Sequence, residues 1–135
     1  MKISIITPTY NEFENVEKLY SEIKKEFAKI NCDYEHIIID NNSTDGTINK
    51  IKDLASKDKN LKLIINSKNY GHIRSPFHGL LQSLGDASIL MAADFQDPID
   101  LIPKYIDEWK KGNKIVLGEK ITSDENQLKF SIRKL

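Results

Sequence analysis

The chain has 135 residues, with 20 basic and 20 acidic side chains and a formal net charge of zero. That balance lacks the basic field of a general nucleic-acid binder, while the length suits one domain spanning residues 1–135 with room for a buried core. Cys32 is the only cysteine, which excludes an internal disulfide and a cysteine-based metal site and fits a reducing compartment.

Elements follow one another in alternation. Ile3 to Thr7 is a short apolar run that reads as a strand. Residues 14 to 30 place Val16, Leu19, Tyr20, Ile23, Phe27 and Ile30 at helical spacing, with Lys and Glu on the other face. "HIIID" (36–40) is a continuous β-branched run, of the kind buried on both faces of a parallel sheet. A second helix is predicted from Asp45 through Leu54, with Ile48, Ile51, Leu54 and Ala55 on one face. "LKLIIN" (61–66) reads as a third strand. A third helix is predicted from Ser75 to Leu84, with Pro76 in its first turn, Phe77, Leu80, Leu81 and Leu84 as its apolar stripe, and Gly85 as its stop. "ASILMAA" (87–93), a helix started near Pro98 and stopped at Gly112, and "KIVLG" (114–118) complete the pattern. Five strands alternating with four helices predict an α/β domain with a mostly parallel sheet. The last residues read as the start of a further helix. The one polar-flanked apolar run at the N-terminus is too short for a signal peptide, and no stretch approaches the ~18 apolar residues of a membrane span. The sequence thus predicts a cytoplasmic chain, with membrane contact only through a longer parent protein, at its inner face.

Ligands of open α/β sheets bind beyond the carboxyl ends of the strands. The segments expected there are all polar: "TPTYNE", "DNNSTDGT", "NSKNYGHIRS", "DFQDP" and "GEK". The connections at the opposite edge are ordinary Lys, Asn and Gly turns. Ser43, Thr44 and Asp45 read as loop and helix-cap residues. Asp40 ends a buried strand, where a carboxylate needs a partner, and a base or ribose is one candidate. Only Arg74 and Arg133 are arginines, the better phosphate forks. His36 reads as a sheet-end residue, His72 and His78 as loop and helix residues, and their spacing fits no zinc site. No Gly-x-Gly-x-x-Gly or Gly-Lys-Ser/Thr motif occurs, which disfavours a dehydrogenase or a P-loop ATPase. A nucleotidyltransferase is disfavoured as well, since "TPTYNE" is no glycine-rich basic phosphate loop.

Taken together, "SIITPTYNE", "IIIDNNSTDGT", "NYG", "HGLLQSLGDASILMAADFQDP" and "IVLGEK" resemble the family-2 glycosyltransferases of GT-A fold, over about residues 3 to 120. Within that family "DFQDP" is similar to the dolichol- and polyprenyl-phosphate sugar transferases. The resemblance implies a Rossmann-like, mostly parallel sheet flanked by helices, incomplete at its C-terminus. It implies inverting transfer of a sugar from a UDP- or GDP-sugar to a polyprenyl phosphate or a glycan, in cell-envelope or polysaccharide biosynthesis. By the same resemblance Pro8, Tyr10 and Glu12 line the base and ribose, Asp40 contacts the base, and Asn69 and Gly71 lie near the donor. Asp94 matches the second acid of an Asp-x-Asp motif that holds the donor diphosphate and a Mg²⁺ or Mn²⁺ ion, and Gln96 matches a glutamine that approaches the metal. Asp97 and Pro98 match residues that shape the turn.

Two positions depart from the family pattern. Ala92 stands where the first acid of Asp-x-Asp is expected, leaving Asp94 and Gln96 as metal ligands. Gly118-Glu119-Lys120 replaces a Gly-x-Arg, so Lys120 keeps the charge expected at the phosphates without the bidentate fork. The loss at Ala92 and the short chain keep open an alternative: a non-catalytic sugar-nucleotide-binding module, or an inactive fragment covering the nucleotide-binding half.

Overall fold

A computed structural model describes residues 1–119. The chain divides into two compact units, Met1–Lys104 and Tyr105–Leu135. In the first, β1 (Lys2–Thr9), α1 (Val16–Lys29), β2 (Asp33–Asp40), α2 (Thr47–Ala55), β3 (Leu61–Ile65), α3 (Gly71–Leu81) and β4 (Ala87–Leu90) alternate. A 3-10 turn (Ile99–Leu101) then leads into α4 (Ile102–Lys110), which carries the chain into the second unit.

The sheet has the order β3-β2-β1-β4 and every pair is parallel. Parallel neighbours need a crossover, and each helix supplies one. Thr9 lies beside Asp40, and Asp40 beside Ile65, so three strands end level with one another.

Successive side chains of a strand point to opposite faces, and the core follows that rule. Ile38 packs with Val16 of α1, Ile51 of α2 and Leu61 of β3 on one face. Ile39 and Ile6 meet α3 on the other, at Gly79. A Cβ at Gly79 would lie 2.7 Å from the Cγ2 of Ile6, so the missing side chain is what lets α3 approach the sheet. At the amino-terminal edge the buried carboxylate of Glu35 accepts hydrogen bonds from Lys62, Lys2, Ser4 and the amide of Leu84. Burial alone would raise its pKa; the bonds from Lys62, Ser4, the Leu84 amide and Lys2 outweigh that and hold it at about 2.

The third helix departs from expectation. It starts at Gly71, four residues before the predicted Ser75, so Pro76 lies inside it and not in its first turn. The face against the sheet is Ser75, Pro76 and Gly79. Of the stripe predicted to be its core face, Phe77 is 60%, Leu81 67% and Leu84 71% exposed, and Leu80 is half-buried. Helical periodicity finds a stripe but not the side on which the partner lies. Here the close approach selects small residues.

The fourth strand is shorter than "ASILMAA". Met91 still donates its amide to the carbonyl of Ile6, but the amide of Ala92 goes to a carboxylate oxygen of Asp97 at 2.9 Å. Adjacent amides of a strand point to opposite sides, so this bond closes the turn on the edge of β4 away from β1. The fifth strand is absent among the described residues. The run at 114–118 has no ladder, and Ile115 and Leu117 are exposed. Lys120, Arg133 and the further helix expected near the end lie outside the described residues.

Candidate functional site

The carboxyl edge of the sheet is laced together by short polar side chains. Asp40 ends β2 with no exposed surface. One of its oxygens accepts the Ser43 amide at 2.8 Å; the other accepts the Ser43 hydroxyl at 2.7 Å and the Thr9 hydroxyl at 2.8 Å. Three donors therefore compensate the desolvation of this buried carboxylate. Through these bonds Asp40 braces the ends of β1 and β2.

The bracing continues into the loops. Ser43 also accepts the Asn11 amide at 2.8 Å, and Asn11 in turn accepts the amide of Thr44. Glu12 donates its amide to the Thr47 hydroxyl, Phe13 donates its amide to Asp45, and Asp45 accepts both the amide and the hydroxyl of Thr47. Ser43, Thr44 and Asp45 thus hold the loop and the start of α2. Burial would raise the Asp45 pKa, but the bonds from Thr47 and Phe13 lower it below the usual carboxylate value. The Lys50 ammonium closes the seam, 3.6 Å from the centre of the Phe13 ring and bonded to the Phe13 carbonyl.

Three non-glycine residues with positive φ sit in loops that follow strands: Asn11 after β1, Asn42 after β2 and Phe95 after β4. Asparagine adopts this region readily; phenylalanine does so at a cost of roughly 1–3 kcal/mol. Such cost concentrates where a loop must aim side chains. The Phe95 ring lies under the Lys18 ammonium of α1, 5.0 Å from its centre, and that contact helps offset the cost.

The expected donor residues take these positions. Pro8 is the penultimate residue of β1 and half-buried, while Tyr10, immediately after the strand, is exposed. Glu12 accepts a hydrogen bond from the Asn15 amide side chain. Asn69 accepts the Gly71 amide at 2.8 Å, and Gly71 has φ +82 with open space where a Cβ would be, so backbone conformation alone demands the glycine. Asp94 and Gln96 are both exposed in the loop after β4. One Asp94 oxygen accepts the Gln96 amide at 3.2 Å, and the other has no hydrogen-bond partner among the described residues. Asp97 shapes the turn through Ala92, as expected of it.

Sequence reasoning missed an amide cluster on the α3 face. Asn41 accepts hydrogen bonds from the Asn66 side chain and the Tyr70 amide, and Asn66 also bonds the buried Ser75 hydroxyl. This ties β2, β3 and the Asn69–Gly71 loop together. The doublet Asn41-Asn42 was visible in sequence, but nothing in the pattern said that one amide turns inward. His36 was also misplaced as a sheet-end residue: it is fully buried, its Nε2 lies 2.9 Å from the Thr7 hydroxyl, and burial lowers its pKa to about 3.

Among the described residues no three His, Cys, Asp or Glu side chains converge on a metal position. The oxygens that the chain does offer, from Asp94 and Gln96, are hard donors suited to Mg²⁺ or Mn²⁺. Two of them fit an ion shared with a diphosphate and water, and do not fit an ion held by protein alone.

Comparison with known proteins agrees with this architecture. Residues 4–134 match the family described as Glycosyl transferase family 2, and the chain belongs to that family. It is 38% identical over 120 residues to a dolichol-phosphate mannosyltransferase of Pyrococcus furiosus, a match covering 89% of this chain and 33% of the relative. Among solved structures it resembles S. aureus TarS 1-349 in complex with UDP-GlcNAc, with 26% identity, TM-score 0.61, and 80% of this chain and 32% of that one covered. The fold is also that of the mannosyltransferase PcManGT of Pyrobaculum calidifontis in complex with GDP-Man and Mn²⁺, with 23% identity, TM-score 0.59, and 68% of this chain and 27% of that one covered. The four-stranded parallel sheet is thus a GT-A-type α/β sheet, and the chain spans about a third of the length of the curated relative it matches.

Proposed function

We propose that this chain forms the donor-binding part of an inverting glycosyltransferase that uses a UDP- or GDP-sugar. The observation that carries the reading is the laced carboxyl edge, with the loops after β1, β2 and β3 braced by hydrogen bonds and Asp94 exposed in the loop after β4. Open α/β sheets bind their ligands at that edge.

In this reading Pro8, Tyr10 and Glu12 line the base and ribose, and the Asn69–Gly71 loop borders the donor. Asp40 contributes by fixing the strand ends. Asp94, supported by Gln96, faces the diphosphate and would hold a divalent cation there, neutralising charge on the leaving group. Lys120 is assigned to the phosphates by family resemblance alone. The acceptor oxygen attacks the anomeric carbon opposite the nucleotide, its proton leaves to a base, and the bond to the nucleoside diphosphate breaks. Positioning of both reactants and exclusion of water are the protein's main contributions. The name of the Pyrococcus relative supports a polyprenyl-phosphate acceptor, which would put the parent protein at the inner face of a membrane; no helix among the described residues is long and apolar enough to cross one.

A second reading, a sugar-nucleotide-binding module without turnover, is favoured by Ala92, which offers only its amide, and that to Asp97. Calorimetric titration with UDP and GDP, with and without Mn²⁺, tests the donor site; metal-dependent binding is expected. Absence of binding by either nucleotide in both conditions rejects both readings. Binding without slow hydrolysis of the UDP- or GDP-sugar, in a chain extended to the length of the relatives, selects the module.

A further inference from the structure

A cleft of about 330 Å³ opens between the exposed edge strand β3 and α3, lined by Ile64, Ile65, Asn66, Ser67, Tyr70, Arg74, Ser75 and His78. Of the segments assigned to the donor, only the Asn69–Gly71 loop reaches it, through Tyr70. Arg74 and His78 are four residues apart on α3, so their side chains are neighbours on one helical face. Ser67 and Tyr70 share a hydroxyl–hydroxyl contact of 3.0 Å beside them. Among the described residues no acid lines the cleft.

We propose that this cleft is a second site, distinct from the donor edge, that binds the phosphate monoester of an organic ligand through Arg74 and His78. Arg74 is one of two arginines in a chain whose other cations are lysines. Several of those lysines are paired with carboxylates, such as Lys24 with Asp58, Lys29 with Glu26 and Lys62 with Glu35. Arg74 has no such partner among the described residues, and neither does His78. A guanidinium left free beside an imidazole and two hydroxyls is a donor set for a tetrahedral anion. Ile64, Ile65 and the Tyr70 ring add apolar wall, so the ligand carries a carbon skeleton as well as a phosphate. The floor reaches the donor edge through Asn66, which bonds both Ser75 and Asn41.

The phosphate could belong to a soluble metabolite or to a lipid, and Ile73 and Phe77, exposed beside Arg74 and His78 on α3, suit the latter. The full 135-residue chain would be followed by amide NMR in two arms. The first adds inorganic phosphate against sodium chloride of equal ionic strength. The second adds phosphatidylcholine vesicles with and without phosphatidic acid, a lipid phosphate monoester. Saturable shifts at Ser67, Arg74 and His78 with phosphate support the site. Recruitment by phosphatidic acid vesicles, lost in Arg74→Ala, assigns it to a lipid; response to phosphate alone assigns it to a soluble ligand. Arg74→Ala should weaken binding by about tenfold or more, with Arg74→Lys intermediate, at unchanged thermal midpoint. The proposal is overturned if neither probe perturbs these residues, or if Arg74→Ala binds as the parent does. It is also overturned if UDP or GDP with Mn²⁺ shifts the same residues, which would merge the cleft with the donor site. Because Arg74 and His78 have no part in the donor reading, failure here leaves that reading intact.

Discussion

His36 is buried within β2, and its Nδ1 has no hydrogen-bond partner among the described residues. Its native pKa of about 3 lies below the unfolded value of 6.5, so the native state stays neutral where the unfolded chain takes up a proton. A depressed native pKa gives stability that is complete above pH 6.5 and is lost as pH falls toward 3. The loss approaches about 1.4 kcal/mol per pH unit within that window. Chemical denaturation at pH 7, 6 and 5 should therefore show a steeper decline for the parent than for His36→Gln, which cannot take up that proton; equal slopes would refute the assignment. Gly79 offers a second test at this scale. Gly79→Ala places a methyl 2.7 Å from the Cγ2 of Ile6. It should cost about 1–2 kcal/mol net, overpacking outweighing the ~1 kcal/mol gained by removing a helical glycine; a stabilised variant in denaturant would show that α3 sits farther from the sheet.

At the scale of elements, α3 shows where sequence patterns stop informing. For α1 the predicted residues Val16, Leu19, Ile23 and Phe27 are the buried ones, because a large apolar stripe there had no competitor. In α3 two stripes compete, and the small one, Ser75, Pro76 and Gly79, lies against the sheet. Periodicity weights large side chains and overlooks a close approach. Phe77→Glu should accordingly change the thermal midpoint of this chain by only a few degrees, within the ~0.5 kcal/mol usual for exposed positions. A collapse of the fold would restore the predicted orientation. The early end of β4 is a second case: the apolar run through Ala93 is buried at Met91 and Ala93, yet the chain turns there, with Asp97 holding the amide of Ala92 on the outer edge. A side-chain acceptor five residues downstream is invisible to any pattern of apolar residues. The polar strand ends, by contrast, were legible, because ligand-facing loops follow strands in this architecture and their composition differs from that of the opposite turns.

For the whole molecule, the site was readable as a list of residues but not as a division of labour. Asp40 braces the strand ends, and Asn41 and Asn66 join the loops. The departure at Ala92 leaves Asp94, in the loop after β4, with one oxygen that has no hydrogen-bond partner among the described residues, while Asp97 is spent on the turn. Replacing Ala92 by Asp should strengthen Mn²⁺-dependent nucleotide binding, and an unchanged affinity in titration would argue that position 92 does not face the ion. The central claim is that Asp94 links the nucleotide diphosphate to a divalent cation at the carboxyl edge of the sheet. The most direct test is calorimetric titration of Asp94→Ala beside the parent chain, with UDP and GDP, in the presence and absence of Mn²⁺. Mn²⁺ should strengthen nucleotide binding to the parent and have no effect on the variant; Mn²⁺ dependence that persists in Asp94→Ala would show that another residue holds the ion.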